Sequence, residues 1–415
     1  MISSMFMKTL EYLILPYIKE HCNISRFQFG YRPNTSTSFA VATLKEAVRK
    51  YNSEGSPVYA CFLDMSRAFE RINLDRLMIK LESTSLPRFI INALDQMLSN
   101  GSAKVTCHGH YSAEWNITQG ARQGGVLSAP LFIVYIDQLL SEISKENHGC
   151  YLGIQKMNCQ AYADDFVLFC PTAGGLRVLL SKFSTLCDEH SLKINTAKTK
   201  IMIFYNKDKC HSDVNFTINN EKIEIVKQYK YLGSILMHNL RENEDINRLQ
   251  SSFNRKVGMF NRKFHSVELN VKLKLFNSLC MDMFGMDLWC HKEGCLGLIK
   301  QLGVSYHYAL KKMLGFPKRE SNHHACYLLG QLTLEHLMIW RNYMFFKRLI
   351  DSNSPCMDVN WYYFRNNSYL AQYLDRMFKD KYQVENFYDN DADALKSRLF
   401  YVQNREPSSW NNEIG

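Results

Sequence analysis

Tyr162-Ala163-Asp164-Asp165 sits inside an apolar run, with Cys159-Gln160-Ala161 before it and Phe166-Val167-Leu168-Phe169 after it. Two adjacent carboxylates are costly there, because an ionised carboxylate leaves water only when it is paired or binds a cation. The flanks are rich in β-branched and aromatic residues. The segment therefore reads as strand, tight turn at Ala163-Asp164-Asp165, and returning strand. Such a turn carries both carboxylates to the tip of a sheet, where oxygen ligands could hold Mg²⁺. A solvated Asp-Asp turn has the same local spelling, so the rest of the chain must decide.

Upstream, Val58-Tyr59-Ala60-Cys61-Phe62-Leu63 is a short apolar run fit for a buried strand, and it ends in Asp64. A third carboxylate at a strand end could complete a two-metal site of the kind that catalyses in-line phosphoryl displacement. Taken alone, Asp64 reads equally as a helix N-cap and Phe69 as a core aromatic. Between the two carboxylate segments, the run from Gln119 to Gly125 carries glycines that let backbone approach a ligand closely. Ser128-Ala129-Pro130 then reads as an N-cap with proline in the first turn, and Leu131, Val134, Tyr135 and Leu139 form an apolar helix face.

Strand over 58–64, helix over 86–98, hairpin over 160–170 and helix over 175–190 predict an α+β sheet with helices on one face. Strands over 201–204 and around Tyr231 are expected to extend it. From Glu242 onward helices dominate. Ile246, Leu249, Phe253, Val257 and Phe260 repeat every three to four residues, and Arg248, Arg255, Lys256, Arg262 and Lys263 fall largely off that stripe. A solvated helix face and a surface for nucleic-acid phosphates are both compatible with that pattern.

Taken in order, these segments resemble the reverse transcriptases of non-LTR (LINE-type) retrotransposons. Phe27-Gln28-Phe29-Gly30-Tyr31-Arg32-Pro33 with Thr35-Ser36-Thr37 is similar to the family's fingers motif. Phe62-Leu63-Asp64 with Ala68-Phe69 resembles motif A, Arg122 to Ser128 motif B, and Tyr162 to Asp165 motif C. Leu192-Lys193-Ile194-Asn195 with Lys198-Thr199-Lys200 is similar to motif D, and Tyr229-Lys230-Tyr231-Leu232-Gly233 to motif E, the primer grip. The likeness continues weakly into a thumb-like region, where Leu275 to Trp289 resembles the post-palm segment. Glu70 stands where the family usually has Asp, and Ala129 separates a Ser-Pro pair.

The resemblance implies a right-hand polymerase: partial fingers over 1–57, a palm of antiparallel sheet and helices over 58–236, a helical thumb-like region over 237–350 and a C-terminal segment over 351–415. It implies RNA-directed DNA synthesis, with an RNA template, a DNA primer and dNTPs as partners. Asp64, Asp164 and Asp165 are then the ligands of two Mg²⁺ ions, with Mn²⁺ as a possible substitute. Phe69 is the steric gate against a ribose 2′-hydroxyl. Gln123 and Gly124 contact the incoming nucleotide, Arg32 approaches its triphosphate, and Lys198 protonates the departing pyrophosphate. Arg248, Arg255, Lys256, Arg262, Lys263, Tyr231 and Gly233 contact the template–primer duplex. The family's fingers begin further upstream than Met1, so the likeness also implies an N-terminally truncated product with no endonuclease ahead of it. An inactive remnant that only binds nucleic acid, and an RNA-templated RNA polymerase, are the competing readings. Phe69 and motifs D and E argue against the latter.

Bulk properties agree. At 415 residues the chain is long enough for two or three domains, and its net charge of +10 suits a polyanionic partner. Thirteen scattered cysteines read as reduced thiols of an intracellular protein, nuclear or in a cytoplasmic ribonucleoprotein, and not as a disulfide framework. Cys290-His291, Cys295, His323-His324 and Cys326 fit no tight zinc spacing. No stretch reaches the length of a membrane span.

Overall fold

The structure is a computed structural model that describes residues 5–32, 35–99, 101–117, 119–121, 124–205, 214–283, 285–289, 295–351, 369–380 and 392–405. It divides into two units, one within residues 1–227 and the other within residues 228–353 and 360–415.

The first unit is built on a five-stranded sheet in the order Glu224–Ile225, Lys200–Phe204, Val58–Leu63, Asp165–Cys170, Cys159–Tyr162. All neighbours are antiparallel except the outermost short strand, which runs parallel to Lys200–Phe204. The expected strand near Tyr231 does not join this sheet; the edge is taken by Glu224–Ile225. Gln228–Tyr231 and Ser234–Met237 pair only with each other, across a Leu232-Gly233 turn with both residues at positive φ, the geometry that lets a two-residue loop follow the strands' twist.

Every residue of Val58–Leu63 is buried. Successive strand side chains point to opposite faces, so both faces of the central strand are covered, not one as the sequence suggested. The Ala173–Glu189 helix packs on Val58–Leu63 and Asp165–Cys170, and the Thr37–Ser53 helix contacts the sheet at Val58–Leu63 and Cys159–Tyr162. The Met5–His21 helix touches the Ser128–Lys145 helix. In the latter, Leu131, Val134, Tyr135 and Leu139 are all buried. Its cap position is Leu127, so Ser128 lies inside the first turn and does not cap it. The Leu74–Glu82 helix, which the sequence reading did not assign, is capped by Asn73, whose side chain accepts from the Arg76 N–H, and packs against both the Arg88–Ser99 and Ser128–Lys145 helices.

The second unit is helical beyond its hairpin. Asn243–Lys263 buries Ile246, Leu249, Phe253 and Phe260, with Val257 packed against them, as its spacing predicts. Around this stripe sit Phe276, Trp289, Leu302, Tyr306 and Met338 from the following helices and loops. The division into units falls between Lys227 and Gln228, ahead of the expected palm boundary at 236. The hairpin therefore belongs to the helical unit. No helix among the described residues is long and apolar enough to cross a membrane, and every described cysteine is free.

Candidate active site

Strand register brings the first two carboxylate segments together. Leu63 lies opposite Phe166, so the residue after Leu63 and the residue before Phe166, Asp64 and Asp165, leave adjacent strands side by side. Tyr162 pairs with Asp165, which makes Asp165 the first residue of the returning strand. The turn is thus Ala163-Asp164 alone, one residue shorter than predicted, and Ala163 adopts a left-handed φ of 56°.

The protein around the turn raises the carboxyls of Asp164 and Asp165. Asp165 reaches solvent, yet the protein around it pushes its carboxyl up to about 6, chiefly by partial burial and then by the facing charges of Asp164 and Asp64. Asp164 is raised by burial and by Asp64, against a backbone hydrogen bond that lowers it. Lys198 Nζ stands 4.0 Å from Asp64 Oδ2 and is otherwise largely in solvent, its side chain 71% exposed. Among the described residues no three His, Cys, Asp or Glu side chains converge tightly enough to hold a metal as they stand. The donor set nevertheless fits hard dications. It consists only of carboxylate oxygens, their backbones are adjacent, and their mutual repulsion is the electrostatic strain a cation discharges.

Asp64 is laced to the segment expected to act in proton transfer. The Asn195 N–H donates to the Asp64 carbonyl at 2.8 Å, the Ser66 N–H donates to Lys193 O at 2.8 Å, and the Asp64 N–H donates to Thr199 Oγ1 at 3.3 Å. This is why Lys198 stands beside the carboxylates.

Phe69 lies on a 3₁₀ turn, Ala68–Arg71, half-buried and stacked on Phe132 with ring centroids 4.5 Å apart. The glycine loop is fastened to that turn: the Ala121 N–H donates to Phe69 O at 2.8 Å and the Gly120 N–H to Ile72 O at 2.9 Å. Gly124 is exposed at φ 84°. Gln123 lies outside the described residues. Arg32 donates to the Ser25 carbonyl at 2.7 Å, beside Asp137, which accepts from the Ser25 N–H at 2.5 Å. In this arrangement Arg32 braces its own loop.

In the second unit the basic residues divide. Arg255, Arg262 and Lys263 are exposed. Arg248 instead donates through two nitrogens, at 3.0 and 2.8 Å, to Asp245 Oδ1, and Lys256 is bound to Asp282. Tyr231 is buried at 3% exposure, so its side chain serves the fold of the hairpin, while Gly233 forms its tip. Asp245, missed in the sequence, is the hub. Only 3% exposed, it also accepts from the Ile235 N–H at 2.9 Å and from Trp289 Nε1 at 3.2 Å. An acid in the first turn, directly before the apolar stripe, was the signal available. Cys290 and His291 lie outside the described residues. Cys295 donates its thiol to Asn243 Oδ1.

The chain is 25% identical over 239 residues to the retrovirus-related Pol polyprotein from type-2 retrotransposable element R2DM of Drosophila melanogaster, covering 56% of this chain and 22% of that protein. It is 27% identical over 293 residues to the RNA-directed DNA polymerase from mobile element jockey of Drosophila funebris, covering 66% and 30%. The chain thus spans less than a third of these curated relatives. Apo telomerase from Candida tropicalis overlays 95% of this chain and 60% of its own at 14% identity, with a TM-score of 0.45, too loose to compare positions. Residues 1–236, more than half of the chain, match the family described as reverse transcriptase (RNA-dependent DNA polymerase). The chain belongs to the reverse transcriptase family.

Proposed function

We propose that this chain is the polymerase portion of a non-LTR retrotransposon's RNA-directed DNA polymerase. It extends a DNA primer 3′-hydroxyl with dNTPs on an RNA template. The observation that carries the reading is the meeting of Asp64, Asp164 and Asp165 from adjoining strands, with Asp165 driven up to about 6 by its surroundings. A cluster of mutually repelling carboxylates stabilises nothing by itself and suits a triphosphate only through cations.

Two Mg²⁺ ions, or Mn²⁺, held by these carboxylates would lower the pKa of the attacking hydroxyl and neutralise the leaving pyrophosphate. The chain's own residues do the rest. Phe69, pinned against Phe132, fills the space a ribose 2′-hydroxyl needs. Lys198 keeps its ammonium near Asp64 and in solvent, free to give a proton to the departing pyrophosphate. Arg255, Arg262 and Lys263 meet phosphates of the duplex without reading sequence. The thiol-rich composition favours an intracellular setting, nuclear or in a cytoplasmic ribonucleoprotein.

Primer extension on an RNA template with Mg²⁺ and either dNTPs or NTPs tests this. Extension with dNTPs is expected. Template–primer binding without any extension, under Mg²⁺ or Mn²⁺, would make the chain an inactive nucleic-acid-binding remnant. Preference for NTPs would make it an RNA-templated RNA polymerase.

A further inference from the structure

Residues 27–30 run along the outer edge of Cys159–Tyr162. The Phe29 N–H donates to Ala161 O and the Ala161 N–H to Phe27 O, both at 2.8 Å, which is a parallel bridge centred on Gln28 and Ala161. Gln28 is fully buried, at 0% exposure. Its Oε1 accepts from the Gly30 N–H at 2.8 Å and from the Ala163 N–H at 3.0 Å, and its Nε2 donates to Ala163 O at 3.5 Å. Ala163 is the turn residue directly before Asp164, held in a left-handed conformation that L residues avoid. Gly30 permits the close fit: a Cβ there would lie 2.5 Å from Ala163 N.

We infer that Gln28 is a positioning residue for the carboxylate turn. Its amide grips both ends of Ala163, and through them sets the direction in which Asp164 and Asp165 leave the hairpin. The effect on rate rests on the polymerase reading; the effect on the turn does not.

The control lies in Cys159–Tyr162, the strand that Gln28 flanks. Gln160 is equally buried, and its Nε2 donates to Ala40 O at 3.0 Å, away from the turn. Gln28→Met and Gln160→Met, in the whole chain, each remove a buried amide of similar size. Both should lower the thermal midpoint. Only Gln28→Met should speed amide hydrogen exchange across residues 162–165, by at least ~10-fold, since it strips the Ala163 N–H of its acceptor. It alone should also weaken Mn²⁺ binding to the protein without nucleic acid, and lower kcat for dNTP addition about 30-fold, roughly 2 kcal/mol, with the template–primer Kd unchanged. If Gln28→Met does not fold, Gln28→Asn, one methylene too short to reach the Gly30 and Ala163 amides together, should show the same selective losses.

Equal exchange and equal Mn²⁺ affinity in the Gln28 and Gln160 variants would overturn the inference and leave Gln28 as core. A parent chain that extends no primer would count against the polymerase reading alone, because the exchange and Mn²⁺ measurements still decide the role of Gln28.

Discussion

Gly120 lies against Glu70 so closely that a Cβ on it would sit 2.9 Å from both the Cα and the carbonyl oxygen of Glu70. Its φ is also 85°. Both facts forbid a side chain, and the backbone bonds beside them tie the glycine loop to the turn that carries Phe69. Gly120→Ala should therefore cost about 1–3 kcal/mol of stability. It should also lower dNTP use more than template–primer affinity. Denaturant unfolding and steady-state extension read the two effects separately.

Asp64→Asn and Asp164→Asn should each reduce extension by at least ~10³, because each removes a charge that sets the field at the reacting phosphate. Template–primer binding should stay within about twofold of the parent. Comparable extension by parent and variants would remove the metal site from the mechanism.

Phe69→Val should raise the NTP-to-dNTP ratio of catalytic efficiencies by on the order of 10²-fold, about 2.7 kcal/mol. The stack on Phe132 means that stability falls as well, by about 1–3 kcal/mol for a half-buried ring. A thermal midpoint that drops while sugar preference stays put would leave Phe69 as packing only.

The pH dependence has a defined sign. Asp165 is held up near 6 in the fold and returns to its ordinary value when unfolded. The folded form is thus favoured while this carboxyl is protonated, below about pH 4, and that advantage is lost as pH rises through about 6. Without divalent cations, Asp165→Asn should flatten this part of the profile. At pH 7.5 it should raise the thermal midpoint by on the order of 1–3 °C, solvent screening keeping the effect small. Mg²⁺ should stabilise the parent above that window far more than below it.

Charge reversal at Arg255, Arg262 and Lys263 should weaken template–primer binding whatever its base sequence, and each lost phosphate contact should remove ~0.7–0.9 from the log–log salt slope. Lys256 belongs to a different class, since its ammonium is bound to Asp282. Arg248→Ala should act on stability, by uncovering buried Asp245. A salt slope unmoved by the triple reversal would make the exposed residues a solvated face.

What could be read in the sequence follows from how local each determinant is. The carboxylate hairpin and the Ile246 to Phe260 stripe were legible because periodicity encodes them within a few residues. Asp64 needed its partner hairpin to be told from a cap, and register supplies it. The place of the Tyr231 hairpin was not legible. Its strands alternate like any others, and only the contact of Ile235 with the Asp245 carboxylate on the next helix ties them to the helices. Gln28 was hidden for a similar reason: a lone amide between two phenylalanines carries no period of its own. Arg248 has its acid, Asp245, three residues earlier on the same helix, a pairing the spacing already offered, whereas Lys256 looked like a free cation because Asp282 is identified only by three-dimensional contact.

The Asp245 carboxylate has a mechanical meaning. By holding Ile235, Arg248 and Trp289 at one point, it rivets the Gln228–Met237 hairpin to the head of a 21-residue helix. Hairpin and helix are thereby joined at one buried charge. The buried indole of Trp289 donates to the same carboxylate, so removing that side chain loosens the hairpin from the helix although the two stay adjacent in the chain.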